Sequence, residues 1–300
     1  KFNALSLDEK IVISNKYLLP EVYKKMGLED AIKIEDDIVK FIIEEYTFES
    51  GVRKLKEIFF DIIGGINLEI LKNDDAVETP FIVTKERVFK NMQKKHEIIH
   101  RKVSETSLVG TINGMYATSL GTGGVLPITC RYYPCDKFLK LRLTGLQQEV
   151  MQESMHLSMT VAWGKLTAET QMNVRESYDT PNCSGINIHA GDLDIQKEGP
   201  SAGAAICCAI YSLFTNREIK QYFGITGELS MTGEIMAIGG LGDKIMGSLK
   251  SNVKSFIYPQ ENKRQFDEFF EKYKDDVQLI GVTFHSVSTI DEVFELIFEK

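Results

Sequence analysis

No apolar run in the 300 residues approaches the roughly eighteen that a membrane-spanning helix requires, and the longest apolar stretches are amphipathic. A spanning helix is therefore not expected. Basic charge is also short. Thirty-five Lys and Arg stand against 43 Asp and Glu, and the net charge of −8 gives no cationic footprint for nucleic acid. The opening K-F-N-A-L-S-L-D-E-K lacks both an initiator Met and the apolar centre of a signal peptide, so a fragment of a longer chain is expected. Cysteines number five, an odd count without framework spacing. That excludes a disulfide scaffold and fits an intracellular, reducing compartment. Cys207 and Cys208 fall in an apolar helical run, where small buried thiols are expected. The phosphate-cradling pattern G-x-x-x-x-G-K-[ST] occurs nowhere.

What is present is an ordinary globular composition, 43% apolar and 26% charged, in a chain long enough for an ample core. The first hundred residues read as helical. A helix starts at L-L-P-E-V-Y-K-K-M with Pro20 near its first turn, and Asp36 or Asp37 caps the next. A longer one runs from about Ser50 and ends near Gly64 and Gly65. T-P-F-I-V-T reads as a short strand and T-K-E-R-V-F-K-N-M as a capped helix. Residues 91–106 are mostly polar and form a connector or exposed helix. Beyond them β-type runs such as V-L-P-I-T-C-R-Y-Y and G-I-N-I-H-A alternate with helical stretches near 146–169, 201–214, 241–250 and 262–273. This pattern predicts an α-helical N-terminal subdomain over 1–104, followed by an α/β or α+β domain over 105–300.

Two motifs compete for the chemistry. H-E-I-I-H at 96–100 matches H-E-x-x-H, in which two histidines bind zinc beside a glutamate base. Its surroundings argue for a solvated connector instead. Lys94, Lys95, Arg101 and Lys102 flank it, and no further zinc-ligand pattern follows His100. The other motif is K-E-G-P-S-A-G at 197–203, running into A-A-I-C-C-A-I. G-x-S-x-G suggests a nucleophile, Ser201, on a tight turn at the start of a helix. A serine needs a base. Downstream the only histidine is His285, and the polar D-L-D-I-Q-K-E before the serine is a poor buried strand. Lys244 is the stronger candidate. It falls in the first turn of a helix that follows a glycine turn, with Ile238, Ile245 and Met246 as apolar neighbours. Burial and the positive end of a helix both lower a lysine pKa, as a base at neutral pH requires.

K-E-G-P-S-A-G, then I-T-G-E-L, then I-G-G-L-G-D-K closely resemble the proteolytic domain of the Lon proteases, ATP-dependent serine proteases with a Ser-Lys dyad. T-G-L-Q-Q-E-V-M-Q-E-S and S-F-I-Y-P-Q-E-N-K-R resemble flanking family segments. D-E-K-I-V-I-S-N-K-Y-L-L-P and T-F-E-S-G-V-R-K-L resemble the small helical subdomain of the family's AAA+ module. The resemblance implies Ser201 as nucleophile, Lys244 as its general base and Thr226 as the group that orients the lysine. It implies Glu198 and His189 at the border of the site, and Arg53 as a sensor of bound ATP. It also implies hexameric rings that unfold damaged proteins with ATP and Mg, the nucleotide-binding core lying upstream of Lys1. An inactive peptidase-like assembly module is the alternative outside catalysis. Glu198 stands where the family usually has aspartate and Asn187 where histidine is common. Y-A-T-S-L-G-T-G-G at 116–124 replaces a shorter W-T-x-x-G-G segment.

Overall fold

The computed structural model describes residues 5–47, 49–72, 80–92, 102–118, 121–176, 184–191 and 198–299. The chain divides into two compact units, Lys1–Ile99 with Thr118–Thr122, and His100–Ala117 with Gly123–Lys300.

The described part of the first unit is helical. α1 (Leu7–Ile13) opens on a capping box in which the Ser6 hydroxyl and the Glu9 carboxylate each accept the other's backbone N–H. It continues through a π-helical turn, Ser14–Leu18, directly into α2 (Leu19–Met26). Pro20 therefore lies inside a longer helical run and does not open one. The widened turn precedes the position at which proline has no N–H to donate. β1 (Ile32–Lys33) leads to α3 (Asp36–Tyr46). Glu35 occupies the cap position without a side-chain bond, so Asp36 and Asp37 act within the first turn, where the helix dipole favours them.

The next helix corrects an expected boundary. α4 (Arg53–Lys72) passes straight through Gly64 and Gly65. A Cβ on Gly65 would lie 1.8 Å from Asn91 Oδ1, and one on Gly64 3.4 Å from Met26 Cε. These glycines admit neighbouring side chains from α2 and from α5 (Lys85–Met92), while fully buried Ile62, Ile63 and Ile66 carry the helix onward. β2 (Phe81–Ile82) pairs in parallel with β1 where T-P-F-I-V-T predicted a strand.

The second unit is built on a mixed seven-stranded sheet. Its strands are β4 (Thr111–Ala117), β5 (Gly123–Pro134), β6 (Leu141–Thr144), β7 (Ser184–Ala190), β9 (Phe223–Ile225), β12 (Ser255–Pro259) and β13 (Thr283–Val287), in the order β13-β12-β9-β4-β5-β7-β6. β13, β12, β9 and β4 run parallel, β5 is antiparallel to both its neighbours, and β6 is parallel to β7. All five residues of β12 are buried, as a strand covered on both faces requires. Small strands β3 (Leu108–Val109) and β8 (Glu218–Ile219) pair apart from this sheet, as do β10 (Glu228–Leu229) and β11 (Ile235–Met236).

The helices of this unit are α6 (Glu149–Gly164), α7 (Ala168–Glu176), α8 (Gly203–Thr215), α9 (Leu241–Leu249), α10 (Lys263–Tyr273) and α11 (Ile290–Ile297). Nearly every residue of α8 is buried, so it runs through the core with apolar residues on all sides. Cys207 and Cys208 lie there as free thiols, their pKa values pushed up by burial. A second apolar cluster joins Met115, Ile238, Leu241, Ile245, Phe256 and Phe266 around α9 and α10.

Candidate active site

The serine turn is shaped by backbone constraints. Gly199 has φ +84°, a conformation that L side chains avoid. Pro200 follows, and its carbonyl accepts from Gly203 N–H at 3.0 Å, closing the turn at Ser201 and Ala202. α8 then begins at Gly203, two residues later than a helix start at 201 would place it. Gly203 is held close. A Cβ there would lie 3.0 Å from Ser154 Oγ and 3.1 Å from Leu229 Cβ. From α6, the buried Ser158 hydroxyl donates to the Gly203 carbonyl at 3.0 Å, and Ser154 Oγ lies 3.5 Å from the Pro200 carbonyl.

The segment after β9 grips the same turn. Gly227 N–H donates to the Ser201 carbonyl at 2.8 Å, and the Gly227 carbonyl accepts from Ala204 N–H at 3.1 Å. Thr226, fully buried, donates its hydroxyl to the Ser201 carbonyl at 3.2 Å. The Thr226 hydroxyl oxygen in turn accepts from Lys244 Nζ at 2.9 Å. Lys244 is 3% exposed, and burial lowers its pKa to about 8. The structure thus brings Ser201, Thr226 and Lys244 together through a chain of two hydrogen bonds. Ser201 Oγ itself makes no hydrogen bond among the described residues, nor do the Ser201 and Ala202 N–H groups.

Lys244 is placed by α9, whose cap is Gly240 at φ +69°. Before it, the buried Asn262 amide clamps Ile238, accepting from its N–H at 2.9 Å and donating to its carbonyl at 2.8 Å. That clamp fixes the I-G-G-L turn from which the helix departs.

Other candidates stand elsewhere. His189, on β7, is bonded through Nδ1 to Thr144 Oγ1 at 3.0 Å. Glu198 is exposed and makes no hydrogen bond or ion pair among the described residues. Asn187 keeps its Oδ1 buried and without a hydrogen-bond partner among the described residues. Arg53 opens α4 with a side chain 93% exposed, 3.7 Å from Glu57. His285, on β13, reaches Thr283 Oγ1 at 3.3 Å and makes no hydrogen bond with Ser201. His96 and His100 lie outside the described residues. Among those described, no group of three metal-ligating side chains occurs. Sequence reasoning missed Ser154 and Ser158. Their i, i+4 spacing, on the same helix face as Met151, Met155 and Ala162, was the available signal.

Comparison with known proteins supplies a family for both units. The model of the Lon protease (S16) C-terminal proteolytic domain matches residues 83–300, and that of the Lon protease AAA+ ATPase lid domain matches 24–78. A Lon protease of Methanosphaera stadtmanae is 32% identical over 95% of this chain and 33% of its own length. One of Buchnera aphidicola is 32% identical over 98% of this chain and 36% of its own. A Lon protease homolog of Acanthamoeba polyphaga mimivirus is 29% identical over 98% and 34%. The chain spans about a third of the length of these curated relatives.

Proposed function

The chain belongs to the Lon protease family, and from that premise we propose that Ser201 and Lys244 are the nucleophile and general base of a peptide-cleaving dyad. The observation that carries this reading is the buried Lys244–Thr226–Ser201 connection, with the lysine pKa lowered to about 8. At pH 7 about a tenth of such a lysine is neutral, against fewer than about one in a thousand for an exposed one.

The neutral Nζ accepts the proton of Ser201 Oγ as that oxygen attacks a peptide carbonyl. The resulting ammonium returns the proton to the leaving amine, and water then hydrolyses the acyl-enzyme by the same relay. Thr226 holds the lysine through the cycle, accepting from Nζ while donating to the Ser201 carbonyl. The unengaged Ser201 and Ala202 N–H groups, at the head of α8, suit the oxyanion of the tetrahedral intermediate. The Ser201 hydroxyl is free to turn toward Lys244 once substrate arrives. No cofactor enters this chemistry.

In the whole protein we assign residues 105–300 to proteolysis and 1–104 to the helical subdomain of an AAA+ module, with Arg53 reaching nucleotide. Arg53 alone does not make a site for ATP and Mg, so these bind residues outside this chain. The reading extends to unfolded or damaged proteins as substrates, to a hexameric ring and to a reducing intracellular compartment. Among the described residues no helix is long and apolar enough to cross a membrane.

Labelling by a serine-directed phosphonate tests the dyad. Covalent modification should fall on Ser201, and its rate should rise with pH through about 8. Labelling elsewhere, or a rate set by a group titrating near 6.5, would return attention to a histidine.

A further inference from the structure

At its closest approach to β5, α9 meets the strand backbone to backbone. A Cβ on Gly247 would stand 2.0 Å from both the carbonyl carbon and oxygen of Gly123, and 2.6 Å from Gly124 N. A Cβ on Gly123 would stand 2.0 Å from the Asp243 carbonyl oxygen and 2.9 Å from Lys244 N. The opposing atoms are all backbone and cannot swing aside. Gly247 has no left-handed φ that would call for glycine. A helix interior disfavours glycine relative to alanine. Packing is what remains to explain it. Gly247 lies three residues beyond Lys244, on the helix face that meets the strand.

We propose that this bare contact between Gly123 and Gly247 seats the lysine helix, and that Gly247 is a positioning residue holding Lys244 Nζ on Thr226 and away from water. The proposal rests on the Ser201–Lys244 reading above. A methyl group needs at least about 3.4 Å from backbone atoms, so alanine at 247 lifts the helix from the strand by about 1.4 Å. Nζ, now 2.9 Å from Thr226 Oγ1, then passes beyond hydrogen-bond reach.

The lysine environment leaves hydration as the lever. Burial is the cause of its lowered pKa, and no charged partner contributes. Asp243 on its own helix, Tyr116 on β4 and Glu228 on β10 make no ion pair with it. On α10, Lys263 pairs with Asp267 at 2.7 Å and Arg264 with Glu268 at 3.1 Å. Water reaching a lifted Nζ therefore restores the charged form.

The test titrates Lys244 directly in protein labelled with [ε-13C]lysine, the resonance identified by its loss in Lys244→Met. Wild type should titrate near 8. Gly247→Ala should titrate at least about one unit higher, which is about a tenfold loss of the neutral base at pH 7. The acidic limb of kcat/KM should move by the same amount. Gly164→Ala, at the end of α6 with nothing within 4 Å of the added carbon, should match wild type in both. A folded Gly247→Ala protein with an unshifted lysine overturns the proposal. Gly123→Ala pushes on the same contact from the strand and should give the same shift. If both variants fail to fold while Gly164→Ala is native, the contact is a folding requirement and the positioning role is refuted. Failure of the dyad itself is a separate result. It appears as peptide hydrolysis surviving Ser201→Ala, whereas the titration reports the lysine whatever the activity.

Discussion

Ser201 precedes α8 by two residues, half-buried, with its hydroxyl unengaged among the described residues. Lys244 stands in the first turn of α9, 3% exposed, with Nζ fixed on Thr226. Around the serine, what is held is the main chain. Gly227 and Thr226 bind its carbonyl, and Pro200 closes its turn. Around the lysine, the side chain itself is held, buried and bonded to Thr226. The contrast follows from the chemistry each performs. A nucleophile must rotate between base and substrate, so its main chain is fixed and its hydroxyl left free. A lysine becomes a base through its surroundings, so the amine must be kept where water is scarce.

The largest effect expected is from Ser201→Ala. Peptide cleavage should fall by at least about 10³-fold. Stability should move by less than about 0.5 kcal/mol, because no hydrogen bond of the hydroxyl is lost. Peptide turnover and thermal unfolding on one preparation settle both points. Undiminished turnover in a folded variant would place the nucleophile elsewhere and leave the comparison without its first term.

Lys244→Arg and Lys244→Met come next, each expected to remove activity by at least about 10²-fold, since guanidinium does not deprotonate and Met carries no base. Near wild-type turnover in either variant would refute the dyad. The same lysine predicts a dependence of stability on pH. Its folded pKa of about 8 lies below the ordinary 10.5, so between those values the unfolded chain binds more protons and stability rises with pH. Below pH 8 the cost of burying the ammonium is complete, on the order of 3 kcal/mol. Lys244→Met should therefore raise the melting temperature at pH 7, with a gain that fades above pH 10. An equal gain at all pH values would mean that the amine is not desolvated.

Much of this site was legible before the fold was seen, because each motif keeps its residues within a few positions of one element. K-E-G-P-S-A-G carries the turn, I-T-G-E the threonine and I-G-G-L-G-D-K the lysine helix. The zinc motif at 96–100 is argued against by its flanking cations and lies outside the described residues. Less legible was anything that depends on what lies across a gap. Gly64 and Gly65 read as a helix end because the space for Met26 and Asn91 is not written locally. The meeting of Gly123 with Gly247 and the reach of Ser158 to Gly203 join segments far apart in the chain. His189 and Glu198 were expected at the border of the site on resemblance. Nothing in the geometry links either to Ser201 or Lys244 by a hydrogen bond.

Thr226→Val sharpens the comparison from the middle. Valine keeps the shape but removes the acceptor for Nζ and the donor to the Ser201 carbonyl. The expected loss in kcat is about 10- to 100-fold, with KM changed less than about threefold, because no substrate group is touched. Thr226→Ser should recover most of the rate. Equal losses in the serine and valine variants would show that the methyl group, and not the hydroxyl, positions the lysine.

Ser158→Ala is expected to have the smallest effect, and it asks whether the serine turn is held by the main chain. Ser158 is fully buried on α6 and donates to the Gly203 carbonyl at 3.0 Å. Removing that hydroxyl deletes one neutral hydrogen bond, about 1 kcal/mol, without stranding a donor. The turn itself keeps the Gly227 bonds to Ser201 and Ala204, together with the left-handed Gly199. Stability should therefore fall by about that amount, while kcat falls less than about fivefold and the pH profile stays in place. The profile decides the matter, since Ser158 lies on the serine side and has no route to the Lys244 amine. A shift in the acidic limb would mean that α6 also governs the base, and that serine and lysine are held by one device instead of two.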